Sequence, residues 1–530
     1  MVPLQCPRSL PLRLCRCLVM ATGLFVVGCT TVQHEVPRPP STAIENPQET
    51  LLGSAFADQL ASTPGLSGFR LLPSGQEAFL VRAALAEAAQ LTLDLQYHII
   101  AADATGTLLM YRALRAAERG VRVRLLIDDL DVGDRDSDLA TLAAHPNVQV
   151  RVFNPFPRRG LGGSLKVLDY LSDGAHLNRR MHNKLWIADN AAALIGGRNL
   201  GDAYFNADGQ TNFADLDVLA VGPVVVEASR SFDEYWNSEW SVPIEAFTEP
   251  AVGNGQVEQL VSAMSAQAAA FRDSAYAQAL RATDLGQLVR SGRLALVPAF
   301  ATIIYDRPDK LQAQTIQQSG HVVSNLRDAI AASRTELVMI SPYFVPTDRG
   351  IGALCELVQR GVRVRVLTNS LASTDVAAVH AGYARYRPRL LACGVSLSEL
   401  RPSVTGSGTL QRVLSSGVSL HAKAIMLDGK AVLIGSMNLD PRSRLSNTEV
   451  AVLIDSAVLG RQLGLWLDEA TAPDRSFAPQ LTEPGNPASP VIWHGLEDGQ
   501  PVRYTDEPLA SAWQQIAAGL LGVLIPEELL

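Results

Sequence analysis

The chain has 530 residues, 47% of them hydrophobic and 18% charged, with 45 Lys and Arg against 53 Asp and Glu, a net charge of −8. That length and apolar content suit two domains or one large duplicated one, and exclude a disordered, collagenous or small disulfide-stapled protein. Five of the cations are lysines, Lys166, Lys184, Lys310, Lys423 and Lys430, and the acidic balance lacks the clustered cations that non-specific nucleic-acid binding requires.

Residues 1–28 carry Arg8, Arg13 and Arg16 with no acid, followed by an apolar run over 17–28. This is the pattern of a signal peptide, too short for a stable bilayer-spanning helix. The run ends in Val26-Val27-Gly28-Cys29, which resembles a bacterial lipobox and would make Cys29 the lipidated mature N-terminus. An uncleaved hydrophobic anchor is the alternative, and either one holds the protein at a membrane. Removing the three arginines leaves 42 basic against 53 acidic groups, so polybasic attraction to anionic lipid is not expected. Residues 29–62, with Pro37, Pro39, Pro40 and Pro47, read as an extended tether. Cys6, Cys15, Cys17 and Cys29 leave only Cys355 and Cys393 in the body of the chain, and no disulfide framework is expected. Cys355 shares an apolar helical stripe with Ile351, Leu354 and Val358 and reads as a buried small hydrophobe.

Beyond the tether the chain repeats itself. Alternation and helical periodicity predict a strand over 91–99, a helix over 105–119, a strand over 121–127, a helix over 138–144 and a strand over 148–153. The same order recurs over 336–344, 349–359, 362–367, 375–391 and 395–400, and Arg119-Gly120 reappears as Arg360-Gly361 at an offset of 241. A period this long indicates a duplicated domain, with strands and helices alternating in a sheet covered on both faces. The predicted division is a domain over 63–250, a helical connector over 251–315, a second domain over 316–475, and a tail over 476–530. In that tail Leu509, Trp513, Ile516, Ala517, Leu520, Leu521 and Leu524 recur at helical spacing. An amphipathic helix packing this face on its own domain is expected, with a bilayer interface as the alternative.

Each half carries His-x-Lys-x4-Asp followed by Gly-[Gly/Ser]-x-Asn: His182, Lys184, Asp189, Gly196, Gly197 and Asn199, then His421, Lys423, Asp428, Gly435, Ser436 and Asn438. With nine histidines and five lysines in 530 positions, two strings of identical spacing are not an accident. On an extended segment residues i and i+2 share a face, so each string presents an imidazole and an ammonium side by side. Asp189 and Asp428 fall at the end of the strand that follows, where an aspartate ordinarily forms the turn. No Cys/His/carboxylate cluster has metal-ligand spacing, and no cofactor or metal is expected.

These strings resemble the HKD signature of the phospholipase D superfamily. Within it the chain looks most like bacterial cardiolipin synthases of the C type, on Gln96-Tyr97-His98, Tyr305-Asp306-Arg307-Pro308-Asp309-Lys310, Ser341-Pro342-Tyr343-Phe344-Val345-Pro346 and Tyr504-Thr505-Asp506-Glu507-Pro508. The resemblance implies an α/β protein of two tandem phospholipase D-like α/β/α sandwich domains, related by pseudo-two-fold symmetry and sharing one active site. It implies catalytic roles for His182, Lys184, Asp189, His421, Lys423 and Asp428, with Asn199, Asn438 and Ser436 at the substrate phosphate. One histidine attacks phosphorus while the other protonates the leaving alcohol and then activates the acceptor. The family assigns attack to the first copy, His182, and the reverse assignment is its alternative. Asp217 and Glu449, each followed by Val, match the family's histidine-orienting carboxylates, although Asp215 is an equally spaced rival to Asp217.

The expected activity is a membrane-associated phosphatidyltransferase, a cardiolipin synthase using phosphatidylglycerol as acceptor. The alternatives are a phospholipase D releasing phosphatidic acid, a superfamily nuclease, and a non-catalytic lipid-binding lipoprotein. The expected partners are phospholipids and a membrane surface and not nucleic acid; the sequence names no accessory protein. Thr30 after Cys29 points to outer-membrane sorting, whereas consumption of phosphatidylglycerol fits the periplasmic face of the inner membrane, which is expected here.

Overall fold

The computed structural model describes residues 36–132, 135–156, 179–248, 255–283, 294–312, 322–402 and 417–526. The expected signal peptide and the expected lipidation site Cys29 lie outside these residues. Short runs rich in Val, Ile and Leu form two sheets that are copies of one another. Across the first sheet the order is Ser241–Pro243, Val148–Phe153, Arg122–Asp128, Thr92–Tyr97, Leu185–Ala188, Ala192–Gly196, Asp217–Val221 and Ser67–Leu72. The second repeats it as Ser476–Leu481, Ser396–Leu400, Arg363–Asn369, Glu336–Ile340, Ala424–Leu427, Ala431–Gly435, Val450–Asp455 and Val297–Tyr305.

The last strands of the two sheets pair antiparallel, Ser67 opposite Ala299 and Phe69 opposite Val297. The halves therefore meet about a pseudo-two-fold axis, and neither leaves that edge open. One apolar core is common to both halves, joining Phe69, Val218 and Phe232 to Ile303, Val432 and Leu463. Each half also has a core of its own beneath its outer helices, around Leu95, Leu109 and Val123 in the first and Leu337, Leu354 and Val364 in the second. Gly120 (φ 97°) and Gly361 (φ 86°) end equivalent helices in the left-handed conformation and turn the chain into the sheet.

Four features depart from the sequence reading. From residue 36 on, the stretch expected as a tether lies along the first half, because arginines of that sheet claim its carbonyls: Arg124 donates to Ser41 (2.8 Å) and Arg151 to Pro39 (3.0 Å). The expected helical connector holds helices Gln256–Arg272 and Ala275–Ala282, but then supplies Val297–Tyr305 as a full strand of the second sheet. Cys355 is bonded to Cys393, with Cα atoms 5.4 Å apart, and is not a free hydrophobe.

The fourth departure is the tail. After two further strands, Val491–Glu497 and Gln500–Tyr504, it forms the helix Ala512–Leu524, which packs through the small residue Ala518 against Leu371 and Ala381. Its large residues point outward, with Trp513, Ile516 and Leu520 exposed by 74%, 54% and 59%. Small residues allow the close approach, and these three members of the expected apolar face are left in solvent. Among the described residues no helix is long and apolar enough to cross a membrane.

Candidate active site

Both His-x-Lys segments run extended into their strands, Leu185–Ala188 and Ala424–Leu427, and meet where the halves touch. The backbone contacts are exchanged between halves: His182 N–H donates to the carbonyl of Thr448 (2.9 Å), and His421 N–H donates to that of Ala214 (2.8 Å). A parallel pair of short strands, Thr211–Ala214 with Gly417–Leu420, fastens the junction. Both imidazoles are nearly enclosed, His182 exposed by 8% and His421 by 7%.

The orienting carboxylates are exchanged as well. His182 Nδ1 lies 2.9 Å from Glu449 Oε2, and His421 Nδ1 lies 2.6 Å from Asp215 Oδ2. Each histidine is thus positioned by a carboxylate from the opposite half, which leaves the other ring nitrogen for chemistry. The rival residue Asp215 takes the place expected of Asp217, and strand register explains why. Gly196 pairs with Asp217 and Gly435 with Ala451, so Asp217 corresponds to Ala451 and Asp215 to Glu449. Asp217 instead forms a buried ion pair with Arg82 (2.8 Å). A Cβ on Gly197 would meet Asp215 Oδ1 at 2.3 Å, so that glycine admits the carboxylate.

The lysines are buried beneath the imidazoles, Lys184 Nζ donating to the His182 carbonyl (2.7 Å) and Lys423 Nζ to that of His421 (2.5 Å). Burial lowers Lys184 to about 7 against the pull of Glu449, and lowers Lys423 to about 8 against that of Asp215. The two carboxylates diverge. Burial raises Glu449 to about 7. Burial also works to raise Asp215, but His421, hydrogen-bonded to it, and Lys423 hold its carboxyl well below the usual carboxylate range. Both imidazoles are lowered by burial and by the lysines, while the Asp215 charge draws His421 back upward.

The remaining signature residues serve mostly as framework. Asp189 and Asp428 do not reach the site. Each sits in the left-handed conformation (φ 53° and 54°) and accepts backbone N–H groups at the start of a neighbouring strand, from Gln90, Leu91 and Thr92 and from Arg334, Thr335 and Glu336. The Ser436 hydroxyl, expected at a phosphate, donates to Glu449 instead. Asn199 ties Ile99 N–H (3.2 Å) to the Tyr204 hydroxyl (2.9 Å). Asn438 is different, since its buried Oδ1 has no hydrogen-bond partner among the described residues.

Sequence reasoning passed over several neighbours. The ring of Tyr204 lies 5.2 Å and that of Phe213 5.0 Å from His421, and His98 stands edge-on 5.2 Å from His182. Arg180 and Arg442 add positive charge on the His98 side. Only His98 carried a signal, standing at the end of Gln96-Tyr97-His98 within the first predicted strand.

A family profile described as "Cardiolipin synthase, PLD-like domain" matches residues 83–236 and 326–469. The chain is 37% identical over 485 residues to cardiolipin synthase C of Escherichia coli (strain K12), covering 90% of this chain and 99% of that protein. It is 27% identical over 391 residues to cardiolipin synthase A of Pseudomonas entomophila (strain L48), covering 72% of this chain and 64% of that protein. Among solved structures, phosphatidylserine synthase of Haemophilus influenzae Rd KW20 superposes with a TM-score of 0.53 at 13% identity, over 90% of this chain and all of the other, a likeness of fold.

Proposed function

The chain belongs to the cardiolipin synthase family of phospholipase D-like proteins, and from that premise we propose that it transfers a phosphatidyl group to phosphatidylglycerol through a phosphatidyl-histidine intermediate. The observation that carries the reading is the pair of buried histidines, each oriented by a carboxylate of the other half. Phosphodiester exchange needs a nucleophile on one side of phosphorus and a proton carrier on the other, and the two imidazoles supply both.

The unequal carboxylates support a division of labour. The charged Asp215 stabilises an imidazolium, which suits His421 to carry the proton to and from the alcohols. Beside Glu449, raised to about 7, His182 stays neutral with its lone pair available for attack. Lys184 and Lys423, with the Nδ2 amide of Asn438 as a neutral donor, then surround the phosphoryl group, the lysines offsetting its charge in a water-poor site.

Contact with a membrane surface is part of the proposal. Trp513, Ile516 and Leu520 form an exposed apolar face on an uncharged helix, the composition of an interfacial element. That helix packs on Leu371, two residues beyond Asn369, whose side chain bonds both the N–H (2.8 Å) and the carbonyl (3.0 Å) of Leu420, next to His421. We place the protein at the periplasmic face of the inner membrane. The lipobox-like Cys29 supports export, as does the Cys355–Cys393 bond, which suits an oxidising compartment.

The test is mass spectrometry of lipids after incubating purified protein with vesicles of phosphatidylethanolamine and phosphatidylglycerol, alongside His182→Ala and His421→Ala. Cardiolipin from the unaltered protein and from neither variant is expected. Phosphatidic acid alone would replace the transferase with a phospholipase D.

A further inference from the structure

The internal symmetry exposes a difference outside the catalytic centre. In the first half, helices Gly75–Ala88 and Ala104–Glu118 enclose a cleft that protein side chains fill. Phe79 packs against Phe205 with centroids 5.5 Å apart, and the connector helices close over it with Phe271 at 5.7 Å and Tyr276 at 6.2 Å. The Tyr276 hydroxyl donates to the Phe205 carbonyl and locks the plug.

In the second half the corresponding helices are Val322–Ala331 and Thr347–Gln359. Their correspondence rests on matching bridges, Ile100 with Leu200 and Phe344 with Leu439. Arg444, six residues after Asn438, stands where Phe205 stands six residues after Asn199. Among the described residues no aromatic plug covers this cleft, and a pocket of about 250 Å³ remains, walled by Leu326, Ile330, Leu354, Leu357, Met437 and Leu439. An apolar cavity of roughly 150 Å³ already takes a benzene-sized guest, so this one has room for part of an alkyl chain.

Two observations identify the occupant. The charged groups around the pocket are mostly arginine, Arg327, Arg360 and Arg444 against Glu356 and Asp440, and burial raises Asp440 to about 7. Apolar walls under a cationic rim fit an anionic amphiphile. The pocket also shares a loop with the active site: Ser436 turns toward Glu449, whereas Met437 and Leu439, flanking Asn438, line the pocket. We propose that this cleft is an acyl-chain site, holding part of one fatty chain of an anionic phospholipid whose phosphate meets the arginine rim. The assignment rests on the phosphatidyltransferase reading, and it makes the second half the one that grips lipid by its tail.

The test uses the full chain with vesicles of phosphatidylglycerol bearing a diazirine at the end of one acyl chain, and maps photo-cross-links by peptide mass spectrometry. Cross-links are expected on 322–331 and 350–357, displaced by unlabelled phosphatidylglycerol. Val323→Trp, at a half-buried pocket position, should lower them by about tenfold, the effect of losing burial of two methylenes. If that variant does not fold, competition on the unaltered protein decides. Cross-links confined to the tail helix or elsewhere, or insensitive to both plug and competitor, would overturn the site. Product analysis on the same samples separates the two readings: cardiolipin formed without pocket cross-links rejects the pocket alone, and pocket cross-links without histidine-dependent product reject the transferase reading alone.

Discussion

The two halves share a fold strand for strand, yet their histidines stand in different electrostatic surroundings. His421 faces Asp215, an ionised carboxylate admitted by Gly197. His182 faces Glu449, which is raised to about 7 and bonded by the Ser436 hydroxyl at the position equivalent to Gly197. A duplicated scaffold can thus split one chemistry into two roles by changing a carboxylate and one small residue, with the backbone kept. The outer clefts diverge in the same manner, aromatic and closed in the first half, and without an aromatic plug among the described residues of the second.

The sharpest break of that comparison removes each histidine in turn. With a phosphatidyl donor whose leaving group is an acidic phenol, His182→Ala should lose activity by about 10⁴-fold or more, with no covalent lipid adduct by mass spectrometry. His421→Ala should still release about one equivalent of phenol in a burst and retain the adduct, because that leaving group needs no proton and only the second step needs a base. The opposite pattern would exchange the roles. Next come the carboxylates. Asp215→Asn should lower kcat by about 10²-fold to 10⁴-fold, and Glu449→Gln by about tenfold, since a half-protonated carboxyl already resembles the amide; equal losses would erase the asymmetry. Asp217→Asn is a control of another kind. It strands buried Arg82, so its signature is a denaturation midpoint shifted by about 3–5 kcal/mol in stability.

A smaller effect comes from pH. The folded Lys184 lies at about 7 and Lys423 at about 8, both below the usual lysine value, so their charges are lost in turn as pH rises and kcat/KM should fall in two steps, the upper limb belonging to Lys423. Lys423→Arg keeps the charge and should move the limb upward; an unmoved limb would assign it to another group. The smallest is expected in the tail, where Trp513→Ser with Ile516→Ser should weaken vesicle co-sedimentation by about tenfold while leaving the fold unchanged by circular dichroism.

Much of this was legible in the residues themselves. Period-2 and period-3.6 patterns placed the repeated elements to within a few residues, and the His-x-Lys spacing fixed the paired imidazoles and ammoniums. The missed parts depended on register and on contacts between halves. Asp215 and Asp217 lie on the same face of an extended segment, so only the pairing of Gly196 with Asp217 tells them apart. Val297–Tyr305 begins Val-Pro-Ala in a region rich in helical spacing, and becomes a strand because two strands from different halves, Ser67–Leu72 and Val450–Asp455, pair with it. Cys355 and Cys393, 38 residues apart, meet only once two helices pack together. In the tail helix, periodicity points to burial of the large face, whereas the small face of Ala518 is buried because it fits against Leu371 and Ala381.

The exchange of supports has one more consequence. Because Glu449 and Thr448 hold His182 while Asp215 and Ala214 hold His421, neither half contains a complete histidine of its own. Any hinge motion that parts the halves would release both imidazoles from their carboxylates in the same event. The pseudo-two-fold seam therefore acts as a common fuse: the two imidazoles are either both held by their carboxylates or both released.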